Sequence, residues 1–271
     1  MMTKSMHQSH LVVLVACSIF MASCSTVPVT GRKQLNLVPE SQMLAMSFQE
    51  YTTFLQQNKL SANKEQTALV KKVGGRIQGA VERYFAEKKI SDQLSGYKWE
   101  FNLVESKEVN AWCMPGGKVV VYTGILPVTK DEDGLAVVMG HEIAHAVAQH
   151  GNERMSQDLL AQFGGMALNE ALASKPEQTR QIWMSAFGVG VQVGALLPFS
   201  RTQESEADHL GLVFMAMAGY DPRTAVPFWE RMAQMSAGNA PPEFLSTHPS
   251  DQSRIDQIKA ELPEALKYYK Q

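Results

Sequence analysis

Gly140 is followed by His141-Glu142-Ile143-Ala144-His145, an H-E-x-x-H pattern. On an α-helix, positions i and i+4 share a face, so His141 and His145 can present their imidazoles to one point. Glu142 lies about 100° further round, at 3.6 residues per turn. It can border a metal held by the two histidines without ligating it, which is where a general base for metal-activated water belongs. The flanks Leu135-Ala136-Val137-Val138-Met139 and Ile143-Ala144-Ala146-Val147-Ala148 are apolar nearly all round. Such a helix is buried. Two imidazoles and a carboxylate inside it are costly unless something compensates them, and a zinc ion does so.

A hydrolytic zinc needs a third protein ligand and one open position. Glu204-Ser205-Glu206-Ala207-Asp208 supplies candidates, on a helix that continues through Leu210, Leu212, Val213 and Met215. Glu204 and Asp208 are i, i+4 neighbours. If Glu204 ligates, Asp208 can hold the second ring N–H of a ligating histidine. Glu206 points another way, and a rotated helix would make it the ligand instead. Spacing leaves that choice open.

Several elements must position these groups. Asp131-Glu132-Asp133 suit a helix N-terminus as caps. The H-E-x-x-H helix is expected to end near His150-Gly151, with the glycine as C-cap and His150 as a helix-end residue and not a ligand. Tyr97 to Val104, Val109 to Met114 and Lys118 to Tyr122 alternate or are β-branched, with Pro115-Gly116-Gly117 as a turn. They predict a small sheet before the helix. Asn110 to Met114 is the candidate edge to which an extended substrate can add as a strand, so Asn110, Ala111 and Trp112 are candidate substrate-binding residues. An ordinary core hairpin is the alternative. Upstream, Ser41 to about Gln57 and Asn63 to Glu87 have helical periodicity. In the second, Leu69, Val70, Val73, Ile77, Ala80, Val81 and Tyr84 recur at three- and four-residue steps, and Gly74-Gly75 allows close packing. Residues 156–199 are helical in pattern. The apolar part from Trp183 to Phe199 can be a lid, a membrane contact or a packed helix, of which packing is the plainer expectation.

The 271 residues are 45% hydrophobic and 19% charged, which suits one large domain with extensions. A net charge of −2 argues against a nucleic-acid partner. At the N-terminus, Lys4 precedes an apolar run from Leu11 to Ala22, too short to span a bilayer and of signal-peptide form. Met21-Ala22-Ser23-Cys24 resembles a lipobox. The expected organisation is a signal peptide over 1–23, a membrane tether over 24–38 with lipid on Cys24, and one catalytic domain over 39–271. Cys113 then remains alone, as a small buried hydrophobe.

His-Glu-Ile-Ala-His, with 58 residues between His145 and Glu204-Ser205-Glu206-Ala207-Asp208, resembles the HtpX/Ste-type zinc metallopeptidases, the minigluzincins. Asn110-Ala111-Trp112, Thr123-Gly124, Ser200-Arg201, Ser246-Thr247-His248-Pro249-Ser250 and Arg254-Ile255 extend the likeness. Within that family the chain is most similar to periplasmic lipoprotein members and to the mitochondrial Oma-type protease. The resemblance implies an α+β, mostly helical zincin-like domain with a small sheet beside the H-E-x-x-H helix. It implies one Zn²⁺ per chain held by His141, His145 and Glu204, with Glu142 catalytic and Asp208 behind a ligand. It also implies that the His248 loop lies near the metal, where His248 would be a fourth ligand that gates the site, a donor to the oxyanion, or a structural residue.

The expected function is a zinc endopeptidase of the bacterial envelope that cleaves misfolded or misassembled proteins. Its expected location is the periplasmic side of the outer membrane. The rival is a chaperone or assembly factor with gated or vestigial proteolysis. The short stretch after Gly219-Tyr220 favours the enzyme.

Overall fold

A computed structural model describes residues 24–27, 30–192, 196–236, 242–249 and 252–270. The expected signal peptide, residues 1–23, lies outside the described residues. Strand β1 (Cys24–Thr26) pairs antiparallel with β2 (Lys33–Leu35), Ser25 opposite Gln34. The segment expected to be an irregular tether is therefore a hairpin. Its polar side chains account for this, because Gln34 donates to Ala148 O at 2.9 Å and Asn36 to Gln149 Oε1 at 2.6 Å, both on the domain.

Helix α1 (Glu40–Gln57) follows, then α2 (Lys64–Glu87), whose start is capped by the Asn63 side chain accepting from Gln66 N. The predicted apolar stripe of α2 is buried from Val70 to Tyr84, with Leu69 packed at its margin. Gly74 lies under the Phe101 ring, where a Cβ would come within 2.3 Å of Cδ1. The close approach is to a strand and not to another helix. Strands β3 (Glu100–Val104), β4 (Ala111–Met114) and β5 (Lys118–Tyr122) form a sheet ordered β3-β5-β4, with β3 parallel and β4 antiparallel to β5. β4 is an edge strand among the described residues, and it lies against the helix that carries H-E-x-x-H.

After the short α3 (Leu126–Thr129) comes that helix, α4 (Glu132–Val147). Asp131 caps it, accepting from Gly134 N at 2.8 Å, and every residue from Gly134 to Val147 is buried. The helix does not run to Gly151 as expected. Ala148 closes it, Gln149 turns the chain at φ 59°, and α5 (His150–Ala171) begins at once. The left-handed turn falls on glutamine, a residue that sequence patterns do not mark for it, while Gly151 sits inside the next helix.

Helices α5 and α6 (Glu177–Val191) pack on each other and lead to α7 (Leu197–Met217). The apolar segment packs on α5, with Phe187 beside Gly164, but its described part stays out of the core. No residue of α6 is buried, and Ile182, Trp183 and Val189 are exposed. Its apolar positions do not form a stripe that meets the core. α7 crosses α4 backbone to backbone at Gly140 and Gly211, where a Cβ on Gly211 would stand 2.9 Å from His141 N. Helices α8 (Ala225–Ser236), α9 (Glu243–Thr247) and α10 (Gln252–Ala265) close the core around Phe228, Trp229 and Phe244. Among the described residues, no helix is long and apolar enough to cross a membrane.

Candidate metal centre

The glycine crossing sets the site. It brings Glu204, one turn before Asp208 on α7, beneath the imidazoles of α4. His141 Nε2 and His145 Nε2 stand 3.1 Å apart. Glu204 Oε2 is 3.4 Å from the first and Oε1 is 3.2 Å from the second. His248, just after α9, places Nδ1 3.1 Å from His141 Nε2 and 3.0 Å from both Glu204 oxygens. One donor atom from each of His141, His145, Glu204 and His248 lies within 4.8 Å of the others, and all four residues are buried.

These donors fit a metal ion. Three imidazole nitrogens and one carboxylate converging in a buried site are a borderline-soft N/O set suited to zinc. Nitrogens about 3 Å apart cannot all carry protons toward one another, and a shared cation gives every lone pair a partner. Burial acts to lower the pKa of His141, but hydrogen bonds with Asp208 and Glu204 outweigh it and carry the group to about 9. Burial lowers that of His145. Glu204 is held as a carboxylate against its own burial by His141 and His145.

Glu142 lies beside this set and not in it. Its Oε1 is buried and accepts no hydrogen bond, although His248 Nε2 stands 3.3 Å away, too poorly aligned to donate. Burial pushes its carboxyl above the ordinary range. A buried carboxylate with a free lone pair next to a metal position is equipped to take a proton.

Behind His141, Asp208 Oδ1 is 3.0 Å from Nδ1. Arg254 of α10 donates to Asp208 at 2.7 and 2.8 Å, reaches Glu204 Oε2 at 3.2 Å and donates to Pro249 O at 2.9 Å. It also stacks on Trp229, 3.6 Å from the ring centre. One guanidinium thus ties together a ligand carboxylate, the acid behind His141 and the loop bearing His248. Sequence reasoning listed Arg254 only within a motif; its buried site beside two acids is visible only in three dimensions.

Glu206 is not in the cluster. It faces Arg32 and His150, whereas Glu204 lies among the convergent donors. His150, expected to be a plain helix-end residue, is fully buried with Nδ1 2.9 Å from His145 Nδ1. His209, by contrast, only approaches Glu261, at 3.7 Å.

The candidate substrate residues divide. Ala111 is core, and the Trp112 ring packs edge-on to Phe54 and Tyr51 on the α1 side of the sheet. Asn110 Oδ1 accepts from Ala111 N. What β4 offers a ligand is main chain. Tyr122 N donates to Asn110 O, so alternation turns the peptide groups of Ala111 and Cys113 outward. Cys113 is free and half-buried, with its thiol pKa raised by burial and by Glu142. A cleft of about 510 Å³ between α7 and α10 reaches Glu204 and Asp208, but neither Glu142 nor β4 lines it.

Residues 71–262 match the model of peptidase family M48. The mitochondrial metalloendopeptidase OMA1 of Saccharomyces cerevisiae is 30% identical over all of this chain and 79% of its own length. Its counterpart in Schizosaccharomyces pombe is 35% identical over 88% of this chain, which spans 66% of that relative. The beta-barrel assembly-enhancing protease of Yersinia pestis is 31% identical over 59% of this chain and 34% of its own length. These relatives correct the expected location. The matches that run along most of the chain are mitochondrial proteins, which argues against a bacterial outer-membrane lipoprotein anchored through Cys24. With a family match over most of its length and the donor set in place, the chain belongs to peptidase family M48.

Proposed function

We propose that the protein is a zinc-dependent endopeptidase that cleaves extended segments of misfolded or misassembled proteins. The observation that carries this is Glu142 Oε1, buried and without a hydrogen bond beside four convergent donors. His141 Nε2, His145 Nε2 and Glu204 would hold the metal. When bound there, zinc supplies the Lewis acid that polarises a scissile carbonyl and acidifies water. Glu142 takes the proton of the attacking water and returns it to the leaving amine. Asp208 fixes the His141 ring, and Arg254 fixes Asp208. An extended substrate lies along β4, bonded to the outward carbonyl of Ala111 and the outward peptide groups of Cys113.

His248 supplies the gate. With Nδ1 at Glu204 and Nε2 toward Glu142, it occupies the space between base and metal position. It must move before water and substrate enter, while Arg254 donates to the carbonyl of the next residue, Pro249.

Glu142→Gln, assayed on an unfolded protein with bound zinc measured in parallel, is expected to lose about 10²–10⁴-fold in rate. Undiminished cleavage with zinc retained would overturn the mechanism. If the same variant still rescues a deletion strain fully, the function is assembly by binding and not cleavage. His248→Ala is expected to raise the rate or cause self-cleavage, and a fall would make His248 a transition-state donor.

A further inference from the structure

His145 and His150 flank the break between α4 and α5. Because the chain turns at Gln149, His150 comes back beneath His145 and does not continue along its face. Its Nε2 is 3.3 Å from Glu206 Oε2. Glu206 accepts from Thr30 Oγ1 at 2.7 Å and from Arg32 Nε at 2.9 and 3.0 Å. Arg32 also pairs with Glu153 at 2.6 Å, and Gln203 donates to Glu153 at 2.7 Å. Thr30 and Arg32 belong to the turn between β1 and β2, and Gln34 and Asn36 of the same hairpin bind Ala148 O and Gln149 Oε1 at the helix break.

With both imidazoles neutral, this row has one consistent order of protons. Glu206, held by a guanidinium, only accepts, so His150 carries its proton on Nε2. His150 Nδ1 is then a bare acceptor, and the proton between the two rings belongs to His145 Nδ1. The Nε2 of His145 keeps its lone pair and points it at the cluster. The reverse order would put a proton on Nε2 and remove a metal ligand.

We infer that His150 is a positioning residue that sets the tautomer and ring orientation of His145 for metal binding, and that the β1–β2 hairpin locks it in place through Arg32 and Glu206. The inference rests on the proposed role of His145 as a zinc ligand. A ligating histidine ordinarily gives its second N–H to a carboxylate, carbonyl or water. Here an imidazole is interposed, and the carboxylate acts one ring further out.

The test uses the full chain and measures zinc affinity by competition with a chromophoric chelator, with the visible spectrum of the cobalt-substituted protein alongside. His150→Leu is expected to weaken zinc by about 10–100-fold and to alter the cobalt bands. His150→Gln, which can both accept from His145 and donate to Glu206, is expected to recover most of the affinity. Arg32→Met is expected to weaken zinc by a smaller factor. Lys33→Ala, on the same hairpin with its ammonium on Thr26 Oγ1 and away from the row, is the control and is expected to match the parent. Affinity for His150→Leu within twofold of the parent, or no recovery in His150→Gln, overturns the inference. Should His150→Leu fail to fold, Glu206→Gln decides, because an amide can donate to His150 and release the proton order; parental affinity there also overturns it. A parent chain that binds no zinc defeats the proposed function itself, whereas equal binding by parent and variants defeats only this inference.

Discussion

The two α4 histidines are supported in different ways. Behind His141 stand one carboxylate and one arginine, Asp208 and Arg254, both buried and both within two packed helices. Behind His145 stand an imidazole, a carboxylate, an arginine and a second carboxylate, drawn from α5, α7 and the N-terminal hairpin. The first support is part of the catalytic core and cannot be removed without opening it. The second runs outward to a small element whose arginine is 21% exposed. One histidine is therefore set by packing and the other by a contact that can be altered separately.

Asp208→Ala should produce the largest effect. It leaves Arg254 buried beside Glu204 without its main partner, and breaking a buried pair costs about 3–5 kcal/mol. Chemical denaturation of the variant and of Arg32→Met compares the two supports directly. Arg32→Met should lose less, because Glu206 retains Thr30 and His150 while Glu153 retains Gln203. An equal loss would erase the distinction.

Metal removal comes next. If both supports serve a bound ion, zinc at about 1,000 times its dissociation constant adds about 4 kcal/mol to stability. Calorimetry with and without chelator should show a lower Tm in the stripped protein, and no shift would mean that the supports hold the histidines for another reason. Gly211→Ala should cost about 1–3 kcal/mol in urea unfolding, because its Cβ meets backbone of α4 that cannot give way. It should weaken zinc through His141 more than through His145, visible as a cobalt spectrum unlike that of His150→Leu.

The smallest effect concerns His209, which joins α7 to α10 on the His141 side. Its pKa is raised by the neighbouring Glu261 carboxylate, 3.7 Å away. The pair therefore stabilises the fold fully below about pH 6.5 and loses that contribution as pH rises through the folded pKa. His209→Asn should flatten the urea midpoint across that window by less than about 1 kcal/mol.

Much of the His141 side was legible in the sequence, because its parts repeat at helical spacing. H-E-x-x-H and Glu204 to Asp208 are i, i+4 pairs, and the periodicity of α2 and the alternation of β3 to β5 mark the frame. The His145 side was not legible. Gln149 takes a left-handed turn without being glycine or asparagine, so the end of α4 and the return of His150 were hidden. Arg32 lies 121 residues from Glu153 and 174 from Glu206, and no local pattern links them. Trp112 read as a surface for substrate because sequence alternation does not say which sheet face α1 covers.

Between Ser156 and Gln203 no described residue is buried. The two halves of the candidate metal site are thus joined by an arm whose described residues add nothing to the buried core. Closing a longer loop costs only about 0.6 kcal/mol per doubling of its length. The arm therefore has freedom to vary that the buried helices do not. It can be lengthened, shortened or exchanged for another module while the ligands stay where the glycine crossing puts them.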